Sequence, residues 1–355
     1  MTDKLHRRDF VTGAISTGLA TTFGQPAFAG TGRKIHAAAI QMEAELGNVD
    51  AHLAQAERLA LSALDRGARL VILPEMFSSA MGFRDEVLRA IRPIDGAPLE
   101  LMKALARRGQ AMVGGSFLAQ DAGDVYNAFL LVSPDGSVTR HDKDHPTYWE
   151  NCYYIGGTDD GVLDTSIGPV GVGLCWELIR SKTARRLRNR VSLLVGGSCW
   201  WTLPDDYAAD HPLREVNLQM LKNAPPNMAR MLGVPFVHGS HTGRFSAFAE
   251  PDLPNVEFRS RLLGETMIID ETGDVLARLD ASAGAGFITA EISIPSEPVP
   301  TMEIPDEFWV PPEFPEPWHE SWERWFAKGN DYYEFVTKPY LNSGEIAEYL
   351  PAYFR

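Results

Sequence analysis

Four residues of the chain combine reactive side chains with a spacing that suits chemistry at the rim of a β-sheet. Glu75 follows an apolar run that ends in proline, and Cys175 follows a glycine-rich apolar run. Lys143 stands seven residues before Glu150. Polar groups at strand ends lie where α/β proteins build their sites. The pattern therefore predicts one site that holds all four side chains.

These residue types fit nucleophilic catalysis by a thiol. The Cys175 sulfur would attack, and a base is needed to take its proton near neutral pH. We predict that Glu75 is this base. Lys143 would stabilise the negative charge that develops on the substrate, together with a backbone N–H after Cys175. Glu150 would orient Lys143 and assist proton transfer.

Three motifs in this order resemble the nitrilase superfamily of carbon-nitrogen hydrolases, whose members share a Glu-Lys-Cys set and usually a second Glu. The motifs are Gly67–Glu75, Lys143–Glu150 and Asp164–Cys175, supported by Tyr126-Asn127 and Pro134-Asp135-Gly136. The resemblance covers most of residues 34–294. It is closest to the nitrilase branch at Cys175-Trp176-Glu177, whereas the following Leu178-Ile179-Arg180 differs from that branch.

The resemblance implies a fold and an activity. The fold would be an α/β protein, an α-β-β-α four-layer sandwich with two mixed sheets, that forms a homodimer or a higher homo-oligomer. The activity would be hydrolysis of a small amide or nitrile through a Cys175 thioester, which releases ammonia and a carboxylic acid. Two other classes stay open: an acyltransferase that passes the acyl group to an amine, and a non-catalytic binding protein.

Aromatic and histidine side chains near the motifs are candidates for the substrate pocket: Trp149, Trp176, Trp200, His145 and His241. The histidines do not form a recognisable ligand pattern with Cys or carboxylates, so the sequence predicts no metal and no cofactor. Glu177 is expected to be structural, as an ion-pair partner of the basic cluster Arg185, Arg186 and Arg188. That basic cluster is interpreted as a helix face at a subunit contact.

The segments between the motifs alternate strand-like and helix-like patterns, which predicts a layered α/β domain with mixed sheets. The predicted strands cover residues 35–40, 70–73, 111–116, 127–132, 138–141, 170–174, 193–195, 235–238 and 265–270. The predicted helices cover residues 51–66, 98–108, 181–190 and 220–232. Pro225 and Pro226 are placed near the first turn of the last helix, where proline is tolerated.

The two ends of the chain differ from the domain at residues 30–297. Residues 1–29 predict a twin-arginine export signal, with Arg7-Arg8, a short apolar stretch and the cleavage pattern Ala27-Phe28-Ala29. This predicts the export machinery as a partner and a periplasmic or secreted enzyme. Residues 298–355 combine many prolines with four of the eight tryptophans, which predicts an extended arm that packs on the domain or on a neighbouring subunit.

The net charge limits the classes of binding partner, and the cysteine content indicates how the thiols are used. The net charge of −14, which becomes −15 without residues 1–29, disfavours nucleic acid and anionic membranes. The apolar part of the signal is too short for stable membrane insertion. An odd set of cysteines is unlike a disulfide-stapled domain and favours a reactive thiol. Cys152 and Cys199 could pair and leave Cys175 free, an alternative that the sequence leaves open.

Overall fold

Buried apolar runs form a row of parallel strands at the centre of the fold. The computed structural model describes residues 32–250, 253–306 and 316–349, so the predicted export signal lies outside the described residues. The strands in these ranges are β1 (Arg33–Glu43), β2 (Leu70–Ile72), β3 (Arg92–Pro93), β4 (Met112–Asp121), β5 (Asp124–Val132), β6 (Val138–Asp142), β7 (Val162–Thr165), β8 (Gly168–Leu174), β9 (Leu193–Ser198), β10 (Phe236–Glu250), β11 (Leu253–Ile269), β12 (Val275–Asp280) and β13 (Gly286–Ile294).

Helices flank this row of strands. Those within the described residues are α1 (Val49–Asp65), α2 (Asp85–Leu88), α3 (Ala97–Gly109), α4 (Ser181–Leu187), α5 (Pro212–Leu232), α6 (Glu316–Tyr332) and α7 (Lys338–Ser343). Two short 3-10 segments, Tyr148–Cys152 and Cys175–Ile179, carry predicted site residues. No helix within the described ranges has the length and apolar character needed to span a bilayer.

Hydrogen bonding links the strands in the order β6-β5-β4-β2-β1-β10-β9-β8-β7. The six central strands, from β4 to β8 in that order, run parallel, while the hairpins β4–β5–β6 and β7–β8 are antiparallel. The predicted mixed α/β architecture is therefore confirmed. The described strands form one continuous network, and a four-layer sandwich with two separate sheets stays a prediction.

The two faces of β1 pack against different apolar clusters. Ala38 and Ile40 belong to a cluster shared with α1 and α3. Ala37 and Ala39 belong to another cluster, formed with apolar residues of β2, β8 and β9. Successive side chains of a strand point to opposite faces, so the small alanines allow close packing on both sides. A third cluster packs α4 and α5 against apolar residues of β9, β10 and β11.

The position predicted for Pro225 and Pro226 is wrong. Helix α5 begins at Pro212, which occupies a first-turn position, and the two later prolines lie buried in its interior. An interior proline removes a hydrogen bond and clashes with the preceding turn, at a cost of about 3 kcal/mol. Packing of α5 through residues such as Leu221 and Met228 outweighs this local cost.

The prediction of an extended C-terminal arm is also wrong for residues 316–343, which are helical. Pro317 stands at the start of α6, where proline is tolerated, and the next proline is Pro339 at the start of α7. The expected packing on the domain is found, because Trp325 is buried beside Trp149. The parts of the predicted arm at residues 307–315 and 350–355 lie outside the described residues.

Candidate active site

Glu75 is positioned by the end of a strand that is buried on both faces. Strand β2 ends before Pro74, and the Glu75 side chain is fully buried. Its Oε1 accepts hydrogen bonds from Lys143 Nζ at 2.9 Å and Asn127 Nδ2 at 3.0 Å, and its Oε2 accepts one from Cys199 N at 2.9 Å. Each carboxylate oxygen of Glu75 therefore accepts from at least one N–H group, which fixes the side chain in one orientation.

A glycine on β9 allows the main chain to approach this carboxylate. A Cβ at Gly197 would lie 2.7 Å from Glu75 N and 3.1 Å from Pro74 C, closer than side-chain carbons come to backbone. Glycine at this position therefore allows β9 to lie directly beside the turn that carries Glu75.

Lys143 lies between two carboxylates. Its Nζ donates to Glu75 Oε1 at 2.9 Å and to Glu150 Oε2 at 2.8 Å, and all three side chains are buried. Glu150 lies on the 3-10 segment Tyr148–Cys152, where its Oε2 also accepts the Thr147 N–H at 2.8 Å and the Tyr154 hydroxyl. Glu150 Oε1 has no hydrogen-bond partner in the part of the chain that the structure describes.

Burial and charge act in opposite directions on the lysine. Burial disfavours the Lys143 charge, but attraction by Glu150 and Glu75 outweighs it and raises the lysine pKa well above its usual value. Burial raises the pKa of Glu150, the Lys143 charge opposes this shift, and the Glu75 charge adds to it. Lys143 therefore stays an ammonium, as the stabiliser of an anion must.

Cys175 occupies a strained turn at the end of β8. Its φ is +49°, in the left-handed region that costs a non-glycine residue about 1–2 kcal/mol, and a 3-10 segment follows directly. The side chain is fully buried. Burial and the Glu75 charge raise the pKa of the thiol well above its usual value, and the Lys143 charge opposes them. The Cys175 thiol is therefore neutral near neutral pH.

The predicted pocket aromatics lie in two groups around the site. Trp176, which follows Cys175, is half-buried, and its ring lies 5.7 Å from that of Trp200. Trp200 donates through Nε1 to Asn217 Oδ1 at 2.8 Å. Trp149 is buried and stacks on Trp201 with centroids 4.4 Å apart. Trp176 and Trp149 are the sequence neighbours of Cys175 and Glu150, and Trp200 shares an apolar cluster with Cys175. Trp200 and Trp149 also contribute to the core.

The two predicted histidines differ in position. His145 is half-buried and stacks on Phe326 of α6 at 4.9 Å; burial and the Lys143 charge lower its pKa to about 4, so it is neutral. His241 is fully buried, and its Nε2 lies 3.0 Å from the Glu75 carbonyl oxygen. Burial lowers the pKa of His241 to about 3. His241 thus contacts the main chain of Glu75 and not its carboxylate.

Sequence reasoning missed two side chains that hold the carboxylates. Asn127 binds Glu75, and Tyr154 binds Glu150. In the sequence, Tyr126-Asn127 is a family-like motif that indicates no role for Asn127, and the signal for Tyr154 is its spacing of four residues from Glu150. The three thiols are free and buried, so Cys152 and Cys199 do not pair here. Among the described residues, no cluster of His, Cys, Asp or Glu could hold a metal ion.

Comparison with known proteins identifies the family. A family model described as carbon-nitrogen hydrolase matches residues 36–296, a span that includes all four predicted catalytic residues and well over half of the chain. The chain belongs to the carbon-nitrogen hydrolase family. This confirms the resemblance to the nitrilase superfamily and makes the protein a carbon-nitrogen hydrolase.

Curated relatives of this carbon-nitrogen hydrolase include amidases. It is 27% identical to a citrullinase of Francisella tularensis over 65% of its own length and 80% of the relative. It is 26% identical to an N-carbamoylputrescine amidase of Oryza sativa over 70% of its own length and 82% of that chain. The crystal structure of a carbon-nitrogen hydrolase from Helicobacter pylori superimposes with a TM-score of 0.61, 17% identity, and coverage of 74% of this chain and 90% of that one. At this identity the structural likeness shows the fold.

Proposed function

We propose that this carbon-nitrogen hydrolase cleaves a small amide or nitrile through a thioester on Cys175. The observation that carries the proposal is the buried set in which Lys143 contacts both Glu75 and Glu150 beside the strained Cys175 turn. Two relatives are named for citrulline and N-carbamoylputrescine, which are ureido compounds. The carbamoyl group at the amide end of a ureido compound is therefore a further candidate for the bond that this enzyme cleaves.

In the first step with an amide, the Cys175 sulfur bonds to the carbonyl carbon while Glu75 accepts the thiol proton. The carbonyl oxygen becomes negative, and the Lys143 ammonium stabilises it. The carbon–nitrogen bond then breaks, Glu75 returns the proton to nitrogen, and ammonia leaves an acyl thioester on Cys175. A neutral thiol suits this sequence because its proton transfers as the sulfur attacks.

In the second step a water molecule attacks the thioester. Glu75 takes a proton from the water, the carbon–sulfur bond breaks, and the thiol regains its proton as the carboxylic acid leaves. Glu150 supports both steps by orienting Lys143 through Oε2. Its Oε1, which has no partner among the described residues, is available to hydrogen-bond the substrate or the leaving group.

We assign the pocket to side chains around this set. Trp176 and His145 are the best placed, since both are half-buried and each is close in sequence to a catalytic residue. A neutral His145 can donate to or accept from an amide. Trp149, Trp200 and His241 would support the pocket from behind, because their burial leaves little surface for a ligand.

A screen for ammonia release tests the proposal. The panel contains L-citrulline, N-carbamoylputrescine, simple aliphatic amides and simple aliphatic nitriles, and the mature enzyme is compared with Cys175→Ala. We expect release from at least one class that the alanine variant lacks. Equal release by both proteins, or hydrolysis that persists after thiol alkylation, would contradict the thioester route.

We also propose that the enzyme acts outside the cytoplasm as a homo-oligomer. The twin-arginine pattern Arg7-Arg8 supports export. The four-layer packing of two sheets is supported by the apolar cluster that joins Ala37 and Ile72 to Val172 and Val195. Arg186 is not part of the subunit contact predicted for the basic cluster, because its side chain points inward to Asp144 and Glu177.

A further inference from the structure

The Glu177 side chain connects the two loops that carry the nucleophile and the lysine. It is fully buried, and its Oε2 accepts the N–H of Leu174 at 3.0 Å. Its Oε1 accepts the N–H of Asp144 at 3.1 Å. Leu174 directly precedes Cys175, and Asp144 directly follows Lys143. One carboxylate therefore binds the main chain next to Cys175 and the main chain next to Lys143.

The strand network does not provide this connection. Strand β6 leads to Lys143 and β8 leads to Cys175, and the two lie near opposite ends of the strand order. Among the described strands, β6 pairs with β5, and β8 pairs with β7 and β9. No ladder of β-sheet hydrogen bonds therefore joins the two loops directly. Within the described residues, the main chain links them only through the segment 157–161, where Gly157 N donates to the Lys143 carbonyl and Val172 N donates to the Gly161 carbonyl. Side-chain contacts between the loops therefore contribute to their separation.

Charged neighbours keep Glu177 ionised. His141 Nε2 lies 3.3 Å from its carboxylate and Arg186 Nη2 lies 3.4 Å from it. Burial opposes the charge, but His141 and Arg186 outweigh burial, and the pKa of Glu177 is lowered. Arg186 fulfils the expectation of an ion pair with the basic cluster, whereas Arg185 and Arg188 contact Asp306 and Glu303 instead.

The surrounding charges form a balanced buried network. Asp144 pairs with Arg180 and Arg186, and His141 Nδ1 lies 2.6 Å from Asp159 Oδ1. Burial disfavours the His141 charge, but Glu177 and Asp159 raise the pKa of the ring to about 9. Paired charges with hydrogen bonds hold a buried region in one geometry, since each partner left alone would be costly.

We propose that Glu177 is a positioning residue that sets the distance between Cys175 and Lys143. The inference rests on the proposed function, because it concerns the same nucleophile and the same cation. Displacing a catalytic group by about 1 Å can reduce the rate about 100-fold. Loss of either backbone contact to Glu177 frees one of the two loops to shift relative to the other.

The test replaces Glu177 by glutamine. Glutamine keeps the size of the side chain but can accept at only one of its two terminal atoms, so one backbone N–H loses its acceptor. We expect kcat to fall at least tenfold while KM changes less than threefold. The matched control is Glu265→Gln, another buried carboxylate, whose side chain bonds Arg278 at 2.5 and 2.8 Å. This control is expected to keep kcat within twofold even if its melting temperature falls.

A double-mutant cycle separates positioning from general loosening. The rate of Cys175 alkylation by iodoacetamide is measured for wild type, Glu177→Gln, Lys143→Met and the double variant. If Glu177 acts through the spacing of Cys175 and Lys143, the two effects are less than additive. Additive effects, or a folded Glu177→Gln enzyme with kcat within threefold of wild type, would overturn the inference.

Two further variants keep the outcome interpretable. If Glu177→Gln does not fold, Glu177→Asp is judged by the same kcat criterion, because it keeps the charge but is one methylene too short to reach both N–H groups. Cys175→Ala is measured in parallel. Ammonia release by Cys175→Ala would reject the proposed function, whereas an inactive Cys175→Ala beside a fully active Glu177→Gln would reject the positioning role alone.

Discussion

Replacing Lys143 by methionine removes a buried ammonium that both Glu75 and Glu150 contact. The Nζ atom lies 2.9 Å from Glu75 Oε1 and 2.8 Å from Glu150 Oε2, with all three side chains inaccessible to solvent. Methionine keeps an unbranched apolar stem of similar length, so the packing is preserved while the charge is lost. The variant therefore isolates the electrostatic contribution of Lys143.

The magnitude follows from what remains in the site. Removing one partner of a buried ion pair leaves uncompensated charge that costs about 3–5 kcal/mol. Without Lys143, Glu150 relieves this cost by binding a proton, because burial and the Glu75 charge already raise its pKa. Loss of a preorganised group that stabilises developing negative charge costs about 3–4 kcal/mol in the transition state. We expect kcat to fall at least about 100-fold, which corresponds to about 2.7 kcal/mol.

The assay is steady-state ammonia release with the best substrate of the screen, measured from pH 6 to 9. KM should change much less than kcat, because the charge develops mainly in the transition state. The residual activity of Lys143→Met should rise with pH as Glu150 loses the extra proton. The control is Lys103→Met, whose ammonium contacts Glu100 at 2.9 Å near the surface and should leave kcat within twofold. A Lys143→Met enzyme with kcat within tenfold of wild type and only a raised KM would refute the reasoning.

Three other variants test further parts of the account. Glu150→Gln should lower kcat about tenfold, less than Lys143→Met, because the amide oxygen can still accept from the lysine; a completely inactive variant would contradict a supporting role. The charge on His141 stabilises the fold fully below pH ~6.5 and is lost as the pH rises through about 9. The melting temperature should therefore fall more steeply between pH 7 and 10 for wild type than for His141→Asn, and parallel curves would contradict this. The double variant Arg7→Lys and Arg8→Lys should accumulate as an active, uncleaved precursor in the cytosol, and its normal export would exclude the twin-arginine route.

Strand ends were the most informative feature of the sequence. The apolar run before Glu75 forms β2, and the glycine-rich run before Cys175 forms β8. Both strands end within one or two residues of the predicted positions. Such runs predict strands well because they are buried by the sheet itself. The positions of Glu75 and Cys175 at strand ends could therefore be predicted from the sequence.

Longer-range packing decided the features that the sequence missed. The interior prolines of α5 and the helical C-terminal segment depend on burial against distant residues, which local propensity does not contain. The raised pKa of the Cys175 thiol arises from complete burial beside Glu75, which the sequence does not contain. The inward position of Arg186 likewise depends on Asp144, which lies 42 residues away in the chain.

The identity of the nucleophile is the central claim, and the three buried thiols allow a matched test of it. Cys175 directly follows β8 beside Glu75 and Lys143, whereas Cys152 lies in the aromatic cluster beside α6. The measurement is the rate of ammonia release from the best substrate by wild type, Cys175→Ala and Cys152→Ala, each verified as folded. The account predicts activity below about 0.1% for Cys175→Ala, from the loss of covalent catalysis, and near-normal activity for Cys152→Ala. Ammonia release by Cys175→Ala above a few per cent of wild type would contradict it.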